Sequence, residues 1–255
     1  MSVNEVKSAK RVLEIVQFFA EERSPATLSQ LAAALGFPKS SCLALLETLE
    51  ADGWAYQIGG RYYLTRRWLN ESRVIAEHDP FTATIRPVLE ELQAELGETL
   101  ILAHRLGDRV VYLEVSEPAR VVRFSARVGE TKPLHAAASG RALLGAMDVE
   151  ARREIASRLT FKRYTEATLA NATALLDKVE QEAARGWHVN FGEHQADTLS
   201  VAAPLVMYGE PFALVVGAPM FRAGAAADRI GQTLAATCRT VVRGIASPRS
   251  DSFKE

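Results

Sequence analysis

His135, Ser139, His188, Glu193 and His194 are the residues from which this chain would have to build a catalytic or metal-binding centre, and their spacing completes neither. Ser139 lacks the Gly-x-Ser-x-Gly turn that exposes a nucleophile, and His135, four residues earlier, has no evident acid to orient it. His188 and His194 flank Glu193, but no His-Glu-x-x-His pattern, cysteine pair or phosphate-binding glycine loop occurs. Neither a metal, a cofactor nor an enzymatic activity is therefore expected, an α+β enzyme with an accessory helical domain being the alternative. What these residue types offer is recognition. Ala138, Ser139 and Gly140 open an alanine- and leucine-rich helix, and their small side chains leave the backbone there unusually accessible. A capped helix packed closely on a strand explains the same small residues. His135 reads first as a hydrogen-bonded structural histidine.

A denser constellation occupies residues 26–49. Thr27 and Gln30 have capping-box spacing, which starts a helix at Leu28; Leu28, Leu31, Ala32 and Leu35 give it one apolar face, Gly36 stops it, and Pro38 opens a second helix. In that second helix Cys42, Leu45, Leu46 and Leu49 recur at core spacing. Ser40, Leu43, Ala44 and Glu47 then point outward, with Lys39, Ser41 and Thr48 on the flanks. Residues 54–57 and 61–64 are aromatic-rich strands around Ile58-Gly59-Gly60. This order predicts a winged helix-turn-helix whose second helix enters the major groove of DNA. Lys39, Ser40, Ser41 and Arg61 are placed on phosphates, Thr27 and Ser29 at the start of the first helix, and Leu43, Ala44 and Thr48 on the reading side. A helical bundle with a hairpin that binds protein is the alternative.

The elements around these residues set their context. Ser8 can cap a first helix with the stripe Val12, Leu13, Ile15, Val16 and Phe19. Residues 65–77 read as a linker helix and 81–96 as a further helix stopped by Gly97. Beyond it come strands at 99–105 and 110–115 joined at Gly107-Asp108, and a third strand at 121–128. The helix following Ser139 and another at 172–184 precede a strand from Trp187, a hairpin of 201–207 with 212–217, and a terminal helix at 229–245. The pattern predicts an α+β second domain rather than a doubly wound sheet. The boundaries are 1–64 for the winged helix, 65–78 for the linker helix, 79–247 for the second domain and 248–255 for a flexible tail.

Composition supports this division. The 255 residues suffice for two modest domains, and 48% hydrophobic with 24% charged residues argues against disordered, fibrous and membrane classes. The formal net charge is −1, and the cations of the first 73 residues are nearly matched by acids, so specific contacts rather than bulk attraction must carry DNA binding. Cys42 and Cys238 read as buried free thiols. The least charged stretch, 199–220, is broken by Pro204, Pro211 and Pro219, and no apolar signal core occurs, so a cytoplasmic location away from membranes is expected.

With both halves in view, the chain resembles the IclR family of bacterial transcriptional regulators along nearly its whole length. The resemblance rests on Thr27-Leu28-Ser29-Gln30-Leu31-Ala32, Gly36-Phe37-Pro38-Lys39-Ser40-Ser41, Gly129 with Pro133-Leu134-His135-Ala136, Gly140-Arg141-Ala142-Leu143-Leu144, and Arg185-Gly186-Trp187 with Ala202-Ala203-Pro204. It implies a GAF-like or profilin-like α+β ligand-binding domain, assembly into homodimers or tetramers on pseudo-palindromic operator DNA, and a small organic or aromatic acid effector from a catabolic pathway. It also implies an effector site lined by Val121, Phe124, Ala138, Ser139, Gly140, Asn190 and Ser200; Phe124 reads equally as core. Two departures stand out. Leu43 and Ala44 occupy positions where relatives often carry a large polar residue followed by arginine, which points to thymine methyls rather than guanine. Asn190-Phe191-Gly192-Glu193 replaces a segment where acidic residues are usual, which points to a retuned ligand site.

Overall fold

The computed structural model describes residues 6–246. The expected tail from 248 onward lies outside them. The chain forms two compact units, the first running to Pro80 and the second beginning at Phe81.

In the first unit, α1 (Lys7–Glu22) leads through β1 (Ala26–Thr27) into α2 (Leu28–Leu35) and α3 (Lys39–Ala51). The Thr27 hydroxyl accepts from the Gln30 amide at 3.3 Å and Gln30 Oε1 accepts from the Thr27 amide at 2.9 Å, so the expected capping box is formed. Gly36 ends α2 with φ +67°, a left-handed conformation that a side chain would strain. Pro38 stands at the N-cap of α3, one residue before the helix proper. The cap foreseen at Ser8 is not used: α1 starts two residues earlier than that cap would place it, with Val6 at its N-cap and no side-chain cap.

The wing is β2 (Ala55–Ile58) and β3 (Arg61–Leu64), joined through Gly59 and Gly60 at φ +58° and +75°, the two positive values that a type I′ turn needs. β1 adds to β3 at Ala26↔Tyr62, a pairing too short to show in sequence. Ile15, Leu31, Cys42, Leu46, Leu49 and Tyr62 bury together as the core of this unit. Next, α4 (Arg67–Glu77) is rooted on the wing. The Thr65 hydroxyl donates to Gly53 O at 2.8 Å, Trp68 Nε1 donates to Trp54 O at 3.0 Å, and the Arg67 guanidinium lies 4.3 Å over the Trp54 ring.

The second unit runs α5 (Pro80–Leu96), β4 (Thr99–Leu106), β5 (Arg109–Ser116), β6 (Thr131–Pro133), α6 (Ala138–Gly145), α7 (Val149–Arg158) and α8 (Ala172–Ala183). It continues with β7 (His188–Phe191), β8 (Thr198–Met207), β9 (Glu210–Pro219), α9 (Met220–Ala223) and α10 (Ala227–Ala246). The strands form one antiparallel sheet in the order β6-β5-β4-β9-β8-β7. Strand alternation divides its side chains between two cores: Leu100 and Leu102 pack with Leu89 and Leu234 of α5 and α10, while Ile101 and Ala103 pack with Leu143 and Leu175 of α6 and α8. The sheet with helices on both faces is α+β. Cys42 and Cys238 are buried and free, and burial pushes the Cys238 thiol up to about 12. No helix among the described residues is long and apolar enough to cross a membrane.

The strand foreseen at 121–128 does not form. β6 takes the edge of β5 at Arg109 to Val111, leaving 121–128 no ladder of its own. The Glu117 carboxylate organises the segment as a loop instead, accepting from the Ser125 hydroxyl and the Ala126 amide at 2.8 Å each and from Arg123 Nε at 2.6 Å. α7, absent from the sequence reading, is capped by Asp148, which accepts from the Ala151 amide at 2.8 Å.

Candidate nucleic-acid interface and ligand cavity

α3 buries Cys42, Leu46 and Leu49, and this rotation leaves Lys39, Ser40, Ala44, Glu47 and Thr48 exposed, with Ser41 and Leu43 half-buried. The Thr48 hydroxyl donates to Ala44 O at 2.8 Å within the helix, so that hydroxyl already has a partner. Leu43 and Ala44 give this side of α3 an apolar strip, with Glu47 the acid beside it. Arg61 opens β3 at the wing, exposed, with Nη1 donating to Pro25 O at 3.2 Å, a bond that uses one of its five guanidinium N–H groups. Ser29 is exposed in the first turn of α2, while Thr27 is held by the cap.

In the second unit a cavity of about 20 Å³, room for about one water molecule, is lined by Tyr112, Phe124, Lys132, Ala136, Ala137, Asn190, His194, Gln195, Thr198 and Ser200. Of the residues foreseen for an effector, Phe124, Asn190 and Ser200 come together here. Phe124 reaches it from the loop after β5: Thr99 Oγ1 donates to Phe124 O at 2.5 Å, and a Cβ on Gly217 would stand 2.5 Å from Phe124 Cδ1, so the glycine makes room for the ring. Val121 is a correction: it is 98% exposed and outside the lining, because its segment is loop rather than strand. Ala138, Ser139 and Gly140 are buried and do not line the cavity. A Cβ on Gly140 would meet Leu134 O at 2.0 Å, so close packing of α6 on the preceding turn accounts for this glycine.

A buried polar network, invisible in the sequence, holds the wall. Arg141 is fully buried; Nη1 donates to Glu193 Oε2 and Nη2 to Val189 O, both at 2.5 Å, and Nε lies 3.3 Å from Glu182 Oε2. Asn190 Nδ2 donates to Ala136 O at 2.7 Å and Asn190 Oδ1 accepts from the Glu193 amide at 2.8 Å. Glu182 also takes Arg185 at 2.7 Å and His188 Nδ1 at 3.2 Å. Burial alone would raise the Glu182 carboxyl, but the His188 hydrogen bond and the Arg141 charge outweigh it and hold it below the usual carboxylate range. Burial pushes His188 down against the pull of Glu182. His135, read as structural, has Nε2 3.0 Å from Lys162 O, and its ring packs at a tilt against those of Phe161 and Tyr164. Arg141 and Glu193 were legible as a motif and as a departure from the family pattern; only the fold pairs them across 52 positions.

A winged helix carrying an exposed reading helix, followed by an α+β unit, is the architecture of a DNA-binding regulator. Residues 8–59 match the IclR helix-turn-helix domain and residues 74–245 the C-terminal domain of bacterial transcriptional regulators of the IclR type. The chain belongs to the IclR family of transcriptional regulators. It is 26% identical over 227 residues to the transcriptional repressor IclR of Escherichia coli (strain K12), covering 87% of this chain and 83% of that protein. It is 28% identical over 199 residues to the Pca regulon regulatory protein of Pseudomonas putida, covering 78% and 68%. Among solved structures, the IclR of Thermotoga maritima shares the fold with TM-score 0.79 at 18% identity, covering 95% of this chain and 100% of that one. An IclR homolog from Microbacterium hydrocarbonoxydans complexed with 4-hydroxybenzoate does so with TM-score 0.73 at 23% identity, covering 93% and 99%. Relatives of this chain are named as regulators and repressors, in keeping with the transcriptional-regulator domains it carries.

Proposed function

We propose that the chain is an effector-controlled, sequence-specific regulator of a catabolic operon, acting in the cytoplasm as a homodimer or tetramer on a pseudo-palindromic operator. The observation that carries the reading is the cavity where the aromatic rings of Tyr112 and Phe124 meet the polar groups of Lys132, Asn190, His194 and Ser200, a lining suited to a small organic or aromatic carboxylic acid. The 4-hydroxybenzoate bound by one structural relative supports that class of ligand. On the DNA side, Lys39, Ser40, Ser41, Ser29 and Arg61 hold phosphates, with Thr27 fixing the start of α2. Leu43 and Ala44, flanked by Thr48, meet thymine methyls. An acid bound in the cavity changes DNA affinity to the extent that it prefers one arrangement of the two units over another, with α4 as the connecting element. The test is an operator gel shift with and without a panel of catabolic acids, on operators in which single A·T pairs are replaced. Operator affinity that responds to an acid and falls on loss of particular thymines is expected. Indifference to every acid would overturn the effector reading, and indifference to thymine the readout by Leu43 and Ala44.

A further inference from the structure

Of the described residues lining the cavity, Lys132 is the one whose side chain carries a charge at neutral pH. His194 is pushed down by burial first and then by the positive charge of Lys132, so its ring stays neutral; burial and the nearby Glu130 hold the Tyr112 phenol protonated. Ala138, Ser139 and Gly140, which open α6, are buried but are not among the residues lining the cavity. Lys132 sits on β6 opposite Val110, with its side chain only 14% exposed, and its Nζ lies 2.7 Å from Glu130 Oε1. Glu130 is the wetter partner at 32% exposure, and its other oxygen accepts from the Arg127 amide at 3.1 Å in the turn before β6. A cation in the wall is thus neutralised by a carboxylate that does not itself line the cavity and that keeps a separate anchor in its own turn.

We infer that Lys132 is the carboxylate-binding group of this cavity and that Glu130 is its resident counter-ion, exchanged for the carboxylate of the ligand when one binds. The inference rests on the effector reading of the cavity and specifies its chemistry: the ligand is an anion, and its apolar body lies toward Phe124 and Tyr112. The exchange keeps Lys132 paired in both states. Glu130 turns outward to water, so the cost of unpairing a largely buried ammonium does not arise. It also requires the cavity to widen, since about 20 Å³ has room for about one water molecule.

The experiment is calorimetric titration of the full chain with benzoate, 4-hydroxybenzoate and hexanoate, each beside its uncharged amide, in the wild type, Lys132→Met and Glu130→Gln. Binding of at least one acid and none of the amides is expected. Lys132→Met should weaken that acid about tenfold to a hundredfold, the range of a lost charge-assisted hydrogen bond. Glu130→Gln should tighten it, because the competing carboxylate is gone, which a merely structural Lys132–Glu130 pair would not do. Equal binding of acid and amide, unchanged affinity in Lys132→Met, or weakening in Glu130→Gln would each overturn the role of Lys132 while leaving the cavity an effector site. Binding of none of the probes to the wild type would overturn both. Should Lys132→Met fail to fold, the amide comparison and Glu130→Gln decide the matter.

Discussion

Arg141 has no water to return to. Its guanidinium is divided among Glu193, Val189 O and Glu182, and those partners belong to the β7 strand, the turn that follows it and α8. A planar fork can hold such divergent acceptors, whereas a single ammonium cannot. Replacing Arg141 with Met takes from the buried Glu193 carboxylate its ion-pair partner and from Glu182 one of several, a defect of about 3 to 5 kcal/mol. The expected outcome is a large fall in thermal midpoint, measured by calorimetry, and Arg141→Lys should recover only part of it. A midpoint within experimental error of the wild type would contradict this account of the network. The sequence displayed Gly140-Arg141 and Asn190-Phe191-Gly192-Glu193 as separate motifs; nothing in their spacing says that they meet, since the contact is made by strand register and helix rotation.

At the scale of elements, local chemistry was well advertised. The capping box of α2, the left-handed Gly36 and the paired glycines of the wing are rules that act over two to four neighbouring residues, and each appears in the structure where its residues stand. Thr27→Ala should therefore cost about 1 kcal/mol by removing the cap. Denaturant unfolding of the full chain would register it, and because α2 sets the footing of α3, operator affinity should fall with it; an unchanged unfolding midpoint would show the cap to be dispensable. Strand 121–128 failed for the opposite reason. Val121, Val122 and Phe124 have strand propensity, but propensity needs an edge to pair with, and the edge of β5 went to β6. That loss moved Val121 to solvent and made Phe124 a loop residue closing a cavity.

At the scale of the molecule, acid should destabilise the protein in two steps. His188 and His194 have folded pKa values below the ordinary histidine value, so the unfolded chain binds more protons; their contribution is complete above about pH 6.5 and is lost as pH falls toward the folded values. Glu182 and Glu117 are held below the usual carboxylate range despite burial, by hydrogen bonds and by Arg141 and Arg123. Their share is complete above about pH 4.3 and is lost below it. Thermal midpoints recorded from pH 8 to 3 should fall first below about pH 6.5 and more steeply below about 4.3. His188→Gln should shrink the upper step, and an unaltered upper step would rule His188 out as its source. By itself, the sequence determined the winged helix and the α+β character of the second unit, because capping, turn conformation and apolar periodicity act between near neighbours; the family came from the resemblance of its motifs. The tertiary structure alone decided which side chains share the cavity, that Arg141 closes a buried network and that Lys132 is the charge in the wall, because contacts across dozens of residues exist only once the sheet has chosen its register.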